Sequence, residues 1–278
     1  MRTITLSNGV KMPMIGLGTW QMKEPVTTRN TIQKAIDIGY RHIDTANIYK
    51  NEHIIGEILE LNKELLRSDL FITSKVPPTR VQNSEQVLST FNKTLQDLKT
   101  DYVDLYLIHW PGASKVKPTN ADKLEQIRLT TWSVLEQLYE QGKCRAIGVS
   151  NFNEDHLSSF IEKVKIKPHV NQIEYHPLFW KRHSKLEAIC KDNNIVLQGY
   201  SPFAQGAIFE YGITSGQALK WCVFERNVVV LPKSIHEERL KDNFMSIQDG
   251  EGLSKTESDK INMLNVTKRV CWDPDTIK

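Results

Sequence analysis

No run of the sequence reaches the ~18 consecutive apolar residues that a membrane-spanning helix needs. Cysteine is sparse. Cys144, Cys190, Cys222 and Cys271 lie far apart, with no CxxC pair and no metal-ligand spacing. That excludes a disulfide scaffold and a zinc ribbon, and it predicts four reduced, buried thiols of a cytoplasmic protein. An excess of one charge is lacking too: 36 Lys and Arg stand against 33 Asp and Glu, leaving +3. With no basic arm or block, a nucleic-acid partner is not expected. The opening residues, MRTITLSNGV, lack the apolar stretch of a signal peptide, so neither export nor a membrane partner is expected. Hydrophobic residues still make up 40% of the chain, enough for a sizeable core. A length of 278 residues allows one large domain or two small ones.

What is present begins with a hairpin signal. Thr3–Leu6 and Val10–Met12 flank Ser7-Asn8-Gly9, and Asn-Gly tolerates the positive φ of a tight turn. Eight β-rich runs follow: Met14–Trp20, Arg41–Thr45, Leu70–Val76, Tyr102–His109, Cys144–Ser150, Val170–Tyr175, Ile195–Ser201 and Val228–Lys233. Helical stripes lie between them, such as Ile32, Ala35 and Ile36, or Val87, Phe91, Leu95 and Leu98. The latter starts at Asn83 with Gln86 three residues on, the spacing of a capping box. Strict alternation without a composition break predicts one α/β domain over 1–278, a (β/α)8 TIM barrel, with a tail from about residue 245. The competing architecture is an open, doubly wound sheet. Against it, Gly16-Leu17-Gly18-Thr19-Trp20-Gln21 lacks the third glycine of a dinucleotide fingerprint.

In such a barrel the chemistry sits at the C-terminal ends of the strands. Those ends carry Asp44, Lys75 and His109, where branched apolar side chains would serve packing better. Tyr49 follows Asp44 by five residues and can reach over the same mouth. A phenol with its ordinary pKa of ~10 is a weak acid near neutrality. A neighbouring ammonium favours phenolate and would lower that pKa, while an Asp would hold the ammonium in place. A histidine can donate to a substrate oxygen. Together these groups describe a general acid and an oxyanion binder aimed at a carbonyl, with hydride supplied by a cofactor. Each residue taken singly also has a structural reading, as a satisfied polar group at a strand end. His42, His53, His109, His169 and His176 lack the spacing of a metal-dependent barrel hydrolase, so no metal site is expected.

The motifs resemble those of the aldo-keto reductase family. They are Gly16-Leu17-Gly18-Thr19-Trp20, His42-Ile43-Asp44-Thr45-Ala46 with Tyr49, Ile72-Thr73-Ser74-Lys75 and Asp101–Pro111. Ile147–Phe152, Tyr200-Ser201-Pro202 and Leu231-Pro232-Lys233-Ser234 complete the set. The resemblance runs from the hairpin to about Asn243. It implies a barrel closed at its bottom by the hairpin of residues 3–12, and NAD(P)H-dependent reduction of aldehydes and ketones. Asp44, Tyr49, Lys75 and His109 would form the catalytic tetrad. Ser150, Asn151 and Gln172 would hold the nicotinamide carboxamide, with Tyr200 stacked on the ring. Lys233 and Ser234 would contact a 2′-phosphate, Arg239 would stack on the adenine and pair with the same phosphate, and Asn243 would bind the adenine edge, so NADPH is expected over NADH. Thr19, Trp20, Asp44, Ser201 and Phe203 complete the implied cofactor set. Trp20, Tyr49, His109 and Trp110 would line the substrate pocket. Without the resemblance, Lys233 and Arg239 are equally readable as solvated charges, and Trp20 as barrel packing.

Two departures stand out. About ten residues are missing between Tyr200-Ser201-Pro202 and the next helix, expected over Gln217–Arg226. In the family that loop covers the cofactor pyrophosphate, so weaker or faster-exchanging cofactor binding is expected. The tail around Trp272 is short, and the sequence leaves open whether Trp272 swings to the mouth or packs on the barrel side. A dedicated prostaglandin or sugar reductase remains an alternative. So does a non-catalytic nucleotide-binding barrel, although the intact tetrad argues against it. The sequence itself does not give the oligomeric state; the resemblance implies a monomer, as most relatives of this size are.

Overall fold

The computed structural model describes residues 1–62 and 64–278. Strands β1 (Thr3–Thr5) and β2 (Lys11–Pro13) pair antiparallel. Their turn closes through Leu6 N–H to Val10 O at 2.8 Å and Gly9 N–H to Leu6 O at 2.9 Å. Gly9 takes φ +85°, while Asn8 contributes its side chain instead, donating to Arg145 O at 2.8 Å. Strand and helix then alternate: β3 (Leu17–Gly18), α1 (Pro25–Ile38), β4 (His42–Asp44), α2 (Glu52–Leu61), β5 (Phe71–Val76) and α3 (Ser84–Leu98). The series continues with β6 (Val103–Ile108), α4 (Ala121–Glu140), β7 (Cys144–Ser150), α5 (Glu154–Ile161), β8 (Val170–Glu174) and α6 (Ser184–Asp192). It ends with β9 (Val196–Tyr200), α7 (Ser215–Lys220), β10 (Val229–Leu231), α8 (Glu237–Gln248) and α9 (Lys255–Asn262).

Strands β3 to β10 form one parallel sheet in chain order. The sheet closes on itself. Ile15 bridges Val230, and Gly16 N–H donates to Val230 O at 2.9 Å. This is the expected (β/α)8 barrel. Met12 is fully buried beneath it, so the hairpin covers the bottom. Gly148 is required where β7 meets β8: a Cβ there would lie 2.4 Å from Val170 O.

The helices dock through the stripes read from the sequence. Ile32, Ala35 and Ile36 are buried under α1, and Val87, Phe91 and Leu98 under α3. Each fully buried aliphatic or aromatic side chain contributes about 1.5–3 kcal/mol. Asn83 caps α3 by accepting from Gln86 N–H at 2.9 Å. Only this half of the expected capping box forms. Helix α7 stops at Lys220 and passes into a π-turn over Trp221–Glu225, splitting the helix expected over Gln217–Arg226. Three cysteines are buried as expected. Cys271 is not: it lies half-exposed at the barrel mouth, where the tail crosses. Among the described residues no helix is long and apolar enough to cross a membrane.

Candidate active site

Asp44 and Lys75 leave neighbouring strands at nearly the same height. Asp44 pairs in register with Thr73, and Lys75 is two residues further on the same face of β5. Lys75 Nζ donates to Asp44 Oδ1 at 2.7 Å and to Thr45 O at 2.8 Å. Both side chains are buried. Burial pushes Asp44 up and Lys75 down, each toward neutrality, and their mutual attraction opposes both shifts.

Tyr49 ends a 3-10 turn, Asn47–Tyr49, which Lys50 closes in the left-handed region at φ +62°. Buried Asn51 fixes that turn. Its Oδ1 accepts from Thr45 Oγ1 at 2.7 Å, and its Nδ2 donates to Thr19 O at 3.0 Å and Met22 O at 3.2 Å. Glu52, also buried, accepts from Ser74 Oγ at 2.6 Å and Thr94 Oγ1 at 3.2 Å. The Tyr49 ring therefore lies over Lys75, with Nζ 5.1 Å from its centroid. It meets the His109 ring edge-on at 5.7 Å and 74°. Tyr49, Lys75, Asp44 and His109 thus converge on one mouth.

The acidity of Tyr49 differs from the sequence expectation. Burial, reinforced by the Asp44 charge, holds the phenol well above its ordinary value rather than below it. The reason lies first in burial, which disfavours the charged phenolate, while the Lys75 ammonium is directed to Asp44 and Thr45 O. Tyr49 is therefore a fully protonated donor near neutrality. Burial and the Lys75 charge push His109 well below its ordinary value, so its imidazole is neutral. Its Nδ1 is buried without a partner.

The residues expected around a nicotinamide gather on the opposite side. Ser150 Oγ donates to Gln172 O at 2.9 Å. Asn151, at φ +64°, donates through Nδ2 to His109 O at 2.9 Å and accepts from Tyr200 OH at 2.7 Å. Gln172 Nε2 donates to Asp44 Oδ2 at 2.7 Å. Thr19 Oγ1 donates to Asp44 O at 2.8 Å, so its hydroxyl supports the tetrad strand. Phe203 is half-buried against the core, and Ser201, at φ +52°, lies 3.4 Å from Cys271 Sγ.

The expected phosphate clamp sits at the start of α8. His236 at the N-cap gives no side-chain cap, so the first amides of the helix stay available for an anion. Ser234 Oγ accepts from His236 N–H at 3.1 Å and shapes the turn. Lys233 and Arg239 are exposed beside it, Asn243 is buried, and Glu237 is engaged by Lys34 at 2.6 Å. Open helix amides and two exposed cations fit a nucleotide phosphate, and the polar groups of Ser150, Asn151 and Gln172 fit a carboxamide.

Trp20 is 48% exposed at the mouth, which excludes barrel packing. Trp272 is settled as well: its ring lies 6.1 Å from that of half-buried Trp110, on the mouth side. Buried Glu174 holds this part of the tail. Its Oε1 accepts from Val270 N–H at 2.7 Å and its Oε2 from Cys271 N–H at 3.2 Å. The loop after β9 meets the same tail, with Gln205 Nε2 donating to Val270 O at 2.9 Å.

Residues 14–217 match the model of the Aldo/keto reductase family. The chain belongs to this family. It is an oxidoreductase that reduces carbonyl groups of small molecules with a nicotinamide nucleotide. It is 40% identical to the glyoxal reductase of Bacillus subtilis (strain 168), over 99% of this chain and 97% of that protein. It is 38% identical to the 9,11-endoperoxide prostaglandin H2 reductase of Trypanosoma cruzi (strain CL Brener), over 98% and 94% of the two chains. Among solved structures, an aldo-keto reductase from a Medee basin deep-sea metagenome library superposes with TM-score 0.84 at 35% identity, covering 99% of each chain. A Bombyx mori aldo-keto reductase in complex with NADP gives TM-score 0.83 at 29% identity, covering 99% of this chain and 96% of that one.

Sequence reasoning missed Asn51, Glu52 and Glu174. Glu174 carries one faint signal, since it is a polar residue interrupting an apolar barrel strand.

Proposed function

We propose that this aldo-keto reductase is an alcohol:NADP+ oxidoreductase that reduces aldehydes and ketones with Tyr49 as the general acid. The observation that supports it is the stack of Tyr49 over Lys75 and edge-on to His109, at one mouth. When bound, the nicotinamide supplies hydride to the carbonyl carbon. His109, neutral, donates a hydrogen bond to the carbonyl oxygen and polarises it. Tyr49, held protonated by burial, delivers its proton to the same oxygen as negative charge develops there. Lys75, fixed by Asp44, then faces the nascent phenolate. Its contribution lies in the transition state, where the ring whose centroid is 5.1 Å from the ammonium takes on negative charge, rather than in the resting pKa.

NADPH is the preferred nucleotide in this reading, because Lys233 and Arg239 flank the open N-terminus of α8. Trp20, Trp110 and Trp272 favour apolar and aromatic carbonyls. The names of the relatives, a glyoxal reductase and a prostaglandin endoperoxide reductase, suit a wide pocket. The test is NADPH oxidation with 4-nitrobenzaldehyde, run beside Tyr49→Phe and repeated with NADH. Turnover that collapses in the variant is expected. Unchanged turnover in Tyr49→Phe removes Tyr49 as the acid, and equal rates with NADH remove the NADPH preference.

A further inference from the structure

A line of buried polar side chains crosses the barrel from the hairpin at the bottom to Asp44 at the mouth. His42 begins it, two residues before Asp44 on β4 and therefore on the same inward face. His42 Nδ1 lies 3.2 Å from Pro13 O. His42 Nε2 lies 3.2 Å from Thr73 Oγ1 and 3.3 Å from Gln198 Nε2. Gln198 Oε1 accepts from Gln172 Nε2 at 2.7 Å, and Gln172 Nε2 also donates to Asp44 Oδ2 at 2.7 Å. Every side chain in the line is buried. The ring of His42 has its own slot: a Cβ at Gly16 would come within 2.8 Å of His42 Cγ.

The proton positions along this line follow from its first member. A carbonyl only accepts, so His42 must carry its hydrogen on Nδ1, facing Pro13 O. Burial lowers the His42 pKa to about 4, so near neutrality the ring has a single N–H. Nε2 is then an acceptor, and what faces it must donate. Gln198 accordingly turns its NH2 to His42 and its oxygen to Gln172. Gln172 turns its NH2 toward Gln198 Oε1, and its second hydrogen goes to Asp44 Oδ2. Both hydrogens of Gln172 are spent, and its Oε1 is the one polar atom left to face the mouth. That atom accepts and cannot donate, so it selects the NH2 of a carboxamide. The reversed polarity would set Gln172 oxygen against the Asp44 carboxylate, which is repulsive.

We infer that His42 and Gln198 are positioning residues, which fix the amide orientation of Gln172 and thereby the acceptor it offers to the carboxamide of the nicotinamide. The inference rests on the nicotinamide reading above. It adds two residues that touch neither cofactor nor substrate. Because the contact to the carboxamide exists both before and during hydride transfer, its loss is expected in nucleotide affinity and KM rather than in kcat.

The first test needs no nucleotide. Long-range proton–nitrogen NMR of histidine-labelled protein, with the His42 signal assigned through His42→Asn, reports the tautomer. The Nδ1–H form is expected at neutral pH, and an Nε2–H form or an imidazolium overturns the inference. The second test measures NADP(H) binding by quenching of tryptophan fluorescence. Gln198→Leu removes the acceptor facing Gln172, and about tenfold weaker binding is expected, the size of one lost hydrogen bond in a buried network. Gln198→Glu keeps an oxygen toward Gln172 and presents another to His42. It is expected to restore binding and to convert His42 to the imidazolium in the same NMR spectrum. Wild-type affinity in Gln198→Leu, or a loss in Gln198→Glu equal to that of the leucine variant, overturns it. No quenching by either nucleotide in the wild type defeats the nicotinamide reading instead, while the tautomer spectrum still judges the polar line.

Discussion

Replacing Asp44 with Asn strips the counter-charge from an ammonium that has no exposed surface. Lys75 Nζ then keeps one full-strength neutral partner, Thr45 O at 2.8 Å, in place of a carboxylate oxygen at 2.7 Å. A buried pair broken from one side costs about 3–5 kcal/mol, because the remaining charge is uncompensated. At about 2 °C per kcal/mol for a chain of this length, Tm falls by roughly 6–10 °C. Lys75→Met is expected to cost a similar amount, since it leaves the Asp44 carboxylate with Gln172 as its remaining side-chain donor. The double variant Asp44→Asn/Lys75→Met removes both charges and is expected to recover about 2 kcal/mol or more relative to the sum of the singles. All three variants are expected to lose turnover, so the assay is stability: thermal melts and urea titrations on the four proteins, combined as a double-mutant cycle. Single losses below about 1 kcal/mol, the level of a surface pair, would refute the reasoning. Strictly additive losses in the double variant would refute it equally.

Because burial keeps Tyr49 protonated and His109 neutral, kcat for reduction is expected to be flat between about pH 6.5 and about pH 10, the ordinary values of imidazole and phenol. A limb near the lower value would show that His109 titrates normally. Lys233→Ala is expected to raise KM for NADPH about tenfold while leaving KM for NADH unchanged, and Arg239→Ala to raise KM for NADPH more than KM for NADH, the signature of a lost charge-assisted contact to phosphate. Equal effects on both nucleotides would exclude a 2′-phosphate contact. The short connection after β9 predicts fast nucleotide release, read by stopped-flow fluorescence. An off-rate as slow as that of relatives with the longer loop refutes it.

The strands were readable because parallel barrel strands are buried on both faces and so stand out as short apolar runs, Val103–Ile108 and Cys144–Ser150 among them. Asp44, Lys75 and His109 were readable because each interrupts such a run where the chain leaves the barrel. The acidity of Tyr49 was not. Its direction depends on how deeply the ring sinks and on where Lys75 points, and neither has a local signature. Trp272 was illegible for a related reason: its position depends on Glu174 accepting the amides of Val270 and Cys271, from 96 and 97 residues away. The polar line through His42 and Gln198 is tertiary throughout. It links β2, β4, β8 and β9, and no spacing within one strand announces it.

The tail and the loop after β9 are fastened to each other as well as to the barrel. Gln205 holds Val270 O, and Ser201 meets Cys271, while Trp272 leans toward Trp110 from the same strand of tail. In the proposed reading the loop borders the nucleotide side of the mouth and the tail borders the substrate side. Lifting either one would break hydrogen bonds that belong to both. In that reading nucleotide exchange and the admission of a bulky carbonyl would draw on one opening event, and a substitution that loosens the latch would shorten the residence of both guests together.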